Sequence, residues 1–557
     1  MGVRLKVIND ILAEQQDLRS VLRFAKKHAE GDVSFEKGIY EEQIPLSKPG
    51  PGQQYAFSVD LDACTGCKAC VVGCNKMNGL DADEAWRSVG LIHGGTAEHP
   101  LQQTVTTACH HCLDPACMNG CPVGAYEKDP VTGIVKHLDD QCIGCKYCTL
   151  TCPYEVPQYN SRLGIVRKCD MCSDRLSSGE PPACVQSCPN GAISIRLVDV
   201  QSVLDDAQGN AFLPGAPSPG ITAPTTVYHS KRALPRNALP ADFYSVRPAQ
   251  DHMPLVIMLV LTQLAAGAFV VDQILAHTPS GADAQAAMGR YQSLLALGLG
   301  LLALAAATFH LGRPLYAFRA FIGLRRSWMS REIVVVGGFV GAALLYSLSL
   351  WGSELPSILT EHLSPGLKFE RRVLGLTTAA LGVLTVICSA MIYVSTRRLF
   401  WSGTATTLKF FGTGAVLGLA SIAAAAALTG HLFDSLALLE LSKELALPLA
   451  LIAGCKLAYE ASVFFHLFDK QQGDLKRSAL LMFRELKNLT MTRFALGIVG
   501  GVLAPLLLFA FEIELTSLSF LVLALSALVL SLAGELCERT LFFMAMSAPR
   551  MPGGIGK

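Results

Sequence analysis

Charge is what this 557-residue chain is short of: Asp, Glu, Lys and Arg make up 16% of it, against roughly 25% in an average soluble protein. The 46 basic and 45 acidic residues leave a net charge of +1, which excludes bulk attraction to nucleic acid. Cysteine is missing from most of the length. Of 19, all but Cys388, Cys455 and Cys537 lie between Cys64 and Cys188. Those three stand singly in apolar segments, where a small buried hydrophobe is the expected role. The opening Met1-Gly2-Val3-Arg4 leads into neither an apolar core nor a twin-arginine pair, so no export signal is expected.

What is abundant is unevenly placed. Hydrophobic residues reach 51% because long apolar stretches repeat after about residue 250. Residues 1–53 read as a helical arm, 54–200 as a cysteine-rich domain, 201–253 as a Pro-rich basic linker, 254–545 as a membrane region and 546–557 as a tail. In the arm, Leu5, Ile8, Ile11, Leu12, Leu18, Val21, Leu22 and Phe24 recur at rough helical spacing. They predict a helix over 4–29, packed on its own domain or docking another subunit. Pro45, Pro49, Gly50, Pro51 and Gly52 break the chain, and Tyr55 to Asp60 reads as a strand.

The cysteines fall into four runs of four with none left over: Cys64, Cys67, Cys70, Cys74; Cys109, Cys112, Cys117, Cys121; Cys142, Cys145, Cys148, Cys152; and Cys169, Cys172, Cys184, Cys188. The third reads C-x2-C-x2-C-x3-C-P, the run by which bacterial ferredoxins hold cubane iron–sulfur clusters, its fourth cysteine ligating the neighbouring cluster. A disulfide framework suits small secreted domains and not this apolar chain. Zinc ribbons use C-x2-C pairs without a third cysteine and a Cys-Pro. Soft thiolates in fours suit iron–sulfur chemistry. His110 and His111 stand beside candidate ligands, where a solvated or supporting role is expected. No group in the domain looks like an acid, base or nucleophile for substrate chemistry.

Four runs in this order, with the wide Cys172 to Cys184 gap, resemble the four-cluster ferredoxin-like subunit of molybdopterin oxidoreductases, shared by dimethyl sulfoxide reductase, formate dehydrogenase and respiratory nitrate reductase. The resemblance covers about residues 54–200. It implies four 4Fe–4S clusters in two paired double-cluster modules: one on Cys64, Cys67, Cys70 and Cys188; its neighbour on Cys169, Cys172, Cys184 and Cys74; a third on Cys109, Cys112, Cys117 and Cys152; and a last on Cys142, Cys145, Cys148 and Cys121. The nitrate reductase branch has tryptophan where Cys145 stands here, so all four are expected to be 4Fe–4S. Asn75 follows Cys74, a departure from the Cys-Pro ending that the family tolerates in its first run.

Between Pro214 and Pro254 prolines recur beside Lys231, Arg232, Arg236 and Arg247, predicting an extended connector that is plainly solvated or rests on lipid headgroups. Apolar stretches near 254–276, 291–310, 333–351, 373–394, 408–432, 446–467, 494–512 and 517–537 each approach the ~20 residues that cross a bilayer. Loops after the second, fourth and sixth carry Arg313, Arg319, Arg325, Arg326, Arg331, Arg397, Arg398 and Lys476. The positive-inside rule then puts these loops, both termini and the cysteine domain in the cytoplasm.

Ionisable residues in spans are functional candidates. His310, in Thr308-Phe309-His310-Leu311-Gly312-Arg313-Pro314, ends the second span, and Glu332 begins the third. Both face the boundary nearest the cysteine domain, where a quinol losing two protons would need acceptors. Lys456 and Glu460, four apart, suggest an internal ion pair, structural or part of a proton path. This region resembles the membrane anchor of the dimethyl sulfoxide reductase complex in its His-Leu-Gly-x-Pro motif, Ser330-x-Glu332, Ala533-Gly534-Glu535 and Arg539. The resemblance implies a menaquinol site at His310 and Glu332, with Arg313 beside them, and no haem.

The expected fold is an α+β ferredoxin-like iron–sulfur domain fused to an all-α bundle of eight transmembrane helices in a bacterial inner membrane. The expected role is a non-catalytic redox subunit passing electrons between the (mena)quinone pool and a large molybdopterin catalytic subunit. The cluster on Cys142, Cys145, Cys148 and Cys121 should lie nearest the membrane. A quinone-linked anchor of the polysulfide or nitrite reductase type and an ion-translocating module are the alternatives. Terminal substrate and direction of electron flow stay open.

Overall fold

The structure, a computed structural model, describes residues 41–351, 367–510, 514–547 and 551. The helix expected over 4–29, most of the arm and most of the tail lie outside them.

Four small sheets build the cysteine domain. Strands β1 (Gln53–Asp60), β8 (Ile193–Asp199) and β9 (Val227–His229) form one in the order β8-β1-β9; β2 (Ser88–Gly95), β3 (Pro100–Thr107) and β10 (Leu239–Pro240) form another in the order β10-β2-β3. Two hairpins, β4 (Tyr126–Lys128) with β5 (Val135–His137) and β6 (Gln158–Asn160) with β7 (Ile165–Arg167), complete it. β1 is buried from Gln54 to Val59 because β8 pairs along one edge, Phe57 opposite Ile195, and β9 along the other, Ser58 beside Val227. Short helices lie within the cysteine runs: α1 (Ala69–Met77), α2 (Ala116–Gly120), α3 (Tyr147–Thr151), α4 (Ser173–Ser177) and α5 (Ala183–Gln186).

The stretch expected as an extended linker is instead folded onto this domain. Helix α6 (Val200–Gln208) opens it, capped by the Asp199 carboxylate, which accepts from Ser202 N at 3.0 Å. β9 and β10 then join the two larger sheets. Thr225 Oγ1 donates to His110 O at 2.7 Å and Thr226 Oγ1 pairs with His110 Nδ1 at 2.9 Å. Arg232 reaches Asp62. Prolines that look like a tether from composition are edge and turn residues here, where their missing N–H costs nothing. His110 and His111 are buried, not solvated; desolvation holds both imidazoles below their usual range, His110 at about 3.

The second half is helical: α7 (Met253–Leu275), α8 (Pro279–His310), α9 (Trp328–Trp351), α10 (Leu367–Val394), α11 (Gly403–Leu432), α12 (Leu436–Ala461), α13 (Asp474–Phe483), α14 (Lys487–Ile498), α15 (Ala504–Ala510) and α16 (Leu518–Met544). A π-turn, Val499–Leu503, joins α14 to α15. Pro505 has no N–H to return to the carbonyl four residues back, and the helix widens there. α7 is central, packed on α8, α10, α11 and α16. It approaches α11 closely because glycines face each other: a Cβ at Gly267 would fall 1.9 Å from the Gly414 carbonyl oxygen. Small residues are how helices come together where lipid removes the hydrophobic drive between them. Large side chains such as Leu294, Leu301, Leu344 and Leu348 point outward, the apolar exterior a bilayer requires.

Among the described residues, seven helical spans are long and apolar enough to cross a membrane, counting α14 to α15 as one. The sequence predicts eight. The stretch at 446–467 is the exception: α12 ends at Ala461, holds Glu444 just before that stretch and carries Lys456 and Glu460 within it. It is an eighth long helix of the bundle whose composition alone does not make it a span.

Candidate functional site

The folded domain draws the sixteen cysteines into four groups. Cys64, Cys67, Cys70 and Cys188 line one cavity with Thr65 and Asn190. Cys109, Cys112, Cys117 and Cys152 line another with His111 and Lys168. Cys121, Cys142, Cys145 and Cys148 line a third with Tyr126 and His137. In the fourth, Cys74 neighbours Cys184 and Cys172, Cys169 neighbours Cys74 and Cys184, and Asn78 Nδ2 stands 3.7 Å from Cys74 Sγ and 4.0 Å from Cys172 Sγ. The last cysteine of each run therefore crosses into the partner run's group.

The backbone treats these sulfurs as acceptors. Gly144 N points at Cys142 Sγ (3.4 Å), Met171 N at Cys169 Sγ (3.4 Å), Ala125 N at Cys121 Sγ (3.3 Å) and Ala192 N at Cys188 Sγ (3.3 Å). The first and third runs take the same path: Gly66 and Gly144 have φ of 73° and 68°, and Lys68 and Lys146, heading α1 and α3, have φ of 64° and 60°. Among the described residues no group of His, Cys, Asp or Glu is spaced for a single metal ion. Burial first, then the neighbouring cysteines, pushes the Cys117, Cys145 and Cys148 thiols well above their usual range, and the positive charge of bound iron would offset this for a thiolate. The donor set, its burial and its N–H contacts all fit iron–sulfur clusters.

The Cys142 run lies where the domain meets the helices. His310 Nε2 lies 3.2 Å from Cys145 O; a carbonyl only accepts, so Nε2 carries the proton and Nδ1 is left as the base. Tyr147 OH donates to Ile392 O at 2.7 Å and pairs with Ser395 Oγ at 2.8 Å. Ser327 Oγ and Ser330 Oγ donate to Gly120 O (2.7 Å) and Pro122 O (3.2 Å). Gly144, Gly164 and Gly312 touch backbone to backbone: a Cβ at Gly312 would fall 2.1 Å from Gly164 O, and one at Gly144 2.2 Å from the same oxygen.

His310 and Glu332 are both buried at the end of the bundle nearest the cages. Ser389 Oγ, on α10, donates to Glu332 Oε1, and the ring of His252 lies 5.8 Å from that of His310. Arg313 is occupied differently. Its NH1 donates to Asp139 O at 2.9 Å, so its guanidinium clamps the cysteine domain to the bundle.

A family model described as the DMSO reductase anchor subunit (DmsC) matches residues 249–544, just over half of the sequence. This protein belongs to the DMSO reductase anchor subunit family. A second family model, a 4Fe-4S dicluster domain, matches residues 102–197. The B subunit of anaerobic dimethyl sulfoxide reductase from Escherichia coli (strain K12) is 38% identical over 154 residues, 26% of this sequence and 75% of that subunit. The corresponding B subunit from Haemophilus influenzae is 35% identical over 184 residues, 31% of this sequence and 88% of its own length. The formate dehydrogenase iron-sulfur subunit of Haemophilus influenzae is 33% identical over 216 residues, 34% of this sequence and 69% of that subunit. The protein thus joins an electron-transfer iron–sulfur domain to a DmsC-type anchor and is a multi-pass membrane protein.

The DmsC-type anchor buries an ionic network that its sequence half reveals. Lys456 Nζ donates to Glu460 and, at 2.8 Å, to Glu535 Oε2. Arg493 spans the same two carboxylates, Nε and NH2 each 2.9 Å from Glu460 and NH2 3.0 Å from Glu535. Thr413 Oγ1 donates to Glu535 (2.6 Å), and Arg539 NH2 reaches Thr413 (3.1 Å) and Gln263 (3.0 Å). Lys456 and Glu460 are legible from their i,i+4 spacing. Arg493 and Thr413 are not, because they stand on other helices with no local pattern to mark them. Tyr147, Ser389 and His252 escape sequence reasoning for the same reason.

Proposed function

We propose that this protein moves electrons between a membrane quinone and a separate catalytic subunit. The observation that carries the reading is the Cys145–Tyr147 turn. Its first residue accepts from His310, and its last is tied to α10, whose Ser389 holds Glu332. One turn of a candidate cluster site thereby touches His310 and is tied to the helix that holds Glu332, the two groups suited to take protons from a quinol.

A quinol oxidised there gives up two electrons and two protons. His310 Nδ1 and the Glu332 carboxylate are the proton acceptors, and menaquinol is the quinol the family resemblance favours. Clusters bound in the four cages would supply one-electron carriers: one each on Cys64, Cys67, Cys70 and Cys188; on Cys74, Cys169, Cys172 and Cys184; on Cys109, Cys112, Cys117 and Cys152; and on Cys121, Cys142, Cys145 and Cys148. Cys67 is exposed and Cys64 half-exposed, so the first cage is the end open to a partner. That partner is a molybdopterin catalytic subunit, in keeping with relatives named as dimethyl sulfoxide reductase and formate dehydrogenase subunits. Basic loops orient the cysteine domain to the cytoplasm, and α12 crosses as an eighth span with its charges paired inside.

Purification from membranes with metal analysis tests this. About 16 iron per protein molecule, with molybdenum or tungsten in a bound large subunit, is the expected result. Iron without such a subunit removes the molybdoenzyme partner; no iron overturns the reading. A second reading, an ion-translocating redox module, draws on the buried network around Lys456, Glu460, Arg493 and Glu535. Quinol-dependent acidification or alkalinisation of proteoliposomes would favour it.

A further inference from the structure

Arg87 is a buried cation. It leads into β2 with 2% of its surface exposed, and among the described residues no Asp or Glu forms an ion pair with it. NH1 donates to Thr106 Oγ1 at 3.2 Å, and its guanidinium carbon stands 4.6 Å from the Phe57 ring centroid. Among the described residues Nε and NH2 find no oxygen or nitrogen acceptor, and both are shielded from solvent. An arginine cannot shed its proton to escape such a site, and an uncompensated buried charge is costly. Its compensation must be anionic and close by.

The thiols around it supply the answer. Its electrostatic neighbours, strongest first, are Cys184, Cys70, Cys169 and Cys74. Cys70 belongs to the first cage; Cys74, Cys169 and Cys184 belong to the second. Thr106 Oγ1, which accepts from Arg87, lies 3.6 Å from Cys70 Sγ, so one hydroxyl links the guanidinium to the first cage. Lys168 offers a contrast. Its ammonium is spent on Cys169 O (2.8 Å), Val135 O and a 3.7 Å approach to Cys109 Sγ, whereas the Arg87 guanidinium is turned to thiols, Cys184 among them as a hydrogen-bond partner.

We propose that Arg87 is a potential-setting residue shared by the clusters on Cys64, Cys67, Cys70 and Cys188 and on Cys74, Cys169, Cys172 and Cys184. This rests on the cluster reading above. Charge and hydrogen bonding near the sulfurs are the levers that set an iron–sulfur potential. A fixed cation in a dry interior favours the form with one more electron. Arg87 thus holds both outer clusters at higher potential than their ligands alone would, and keeps electrons at the end open to the partner.

The test is an EPR-monitored redox titration of the full-length protein with its partner, alongside iron analysis. Arg87→Gln, which keeps a donor and removes the charge, should lower the midpoints of two clusters by at least about tenfold in the reduction equilibrium, about 59 mV for one electron. The other two clusters should hold still, and Arg87→Lys should stay near the wild type. Unmoved midpoints with full iron, or an equal shift of every cluster, overturn the proposal. If Arg87→Gln loses iron while Arg87→Lys keeps it at native potentials, the charge is what the site needs and the proposal stands. Iron loss in both variants shows a requirement for shape and overturns it. Absence of iron from the wild type would overturn the cluster reading itself.

Discussion

His310 Nε2 stands 3.2 Å from the carbonyl oxygen of Cys145, joining the last residue of a membrane helix to the backbone of a cysteine cage. That bond fixes the imidazole's tautomer and leaves Nδ1 as its base. His310→Ala should therefore remove a proton acceptor without emptying the cages. General acid–base groups contribute about 10²–10⁴-fold, so quinol-driven reduction of the purified protein should slow by at least about 10²-fold. Reduction by dithionite and iron content should be unchanged. Glu332→Gln should do the same. Unaltered quinol kinetics in both variants would remove these residues from the site.

Docking of the cage onto the bundle is a separate requirement, and Gly312 isolates it. A Cβ there meets Gly164 O at 2.1 Å, backbone against backbone, with no flexible side chain to yield. Gly312→Ala should push the helix end off the Cys142 run and stretch the His310 and Arg313 bonds to Cys145 and Asp139. Quinol-driven reduction should fall while iron and dithionite reduction persist. Cysteine-domain proteolysis in membranes should rise.

Cysteine spacing locates the iron–sulfur domain from sequence because ligand geometry is written locally, and apolar runs locate the helices because a bilayer's thickness is fixed. The 201–253 segment misleads, because Pro and Arg content describes a chain without partners. β9 and β10 exist only because β1 and β2 offer free edges. Lys456 and Glu460 signal a pair, but the four-way arrangement with Arg493 and Glu535 depends on three helices meeting, and no window of sequence contains it.

His252 gives the junction a pH dependence. It heads α7, outside the span, with its ring 5.5 Å from that of Phe543. Burial first, then the Lys146 ammonium, holds its imidazole below the usual range. The folded protein keeps it neutral while the unfolded chain protonates near its ordinary value of about 6.5. Its contribution is therefore full above that value and lost as pH falls through it toward the lower folded value. Thermal stability should decline on acidification across this window, and less so in His252→Asn. A decline of the same size in both would assign it to other groups.

Arg493 makes the sharpest prediction for the anchor. Its guanidinium and the Lys456 ammonium bridge the same two carboxylates, all four side chains at most 6% exposed. Removing one cation leaves Glu460 and Glu535 sharing the other in a dry interior. Breaking a buried ion pair in this way costs about 3–5 kcal/mol, so Arg493→Met should lower the unfolding temperature of the detergent-solubilised protein sharply. Arg493→Met with Glu460→Gln removes one charge of each sign and should recover part of the loss, because the cost lies in the imbalance and not in the bonds. The same pair separates a structural clasp from an ion path. If the double variant regains stability and quinol-driven reduction together, the network holds the anchor's helices in place. If it regains stability while proton movement in proteoliposomes stays lost, the network carries protons.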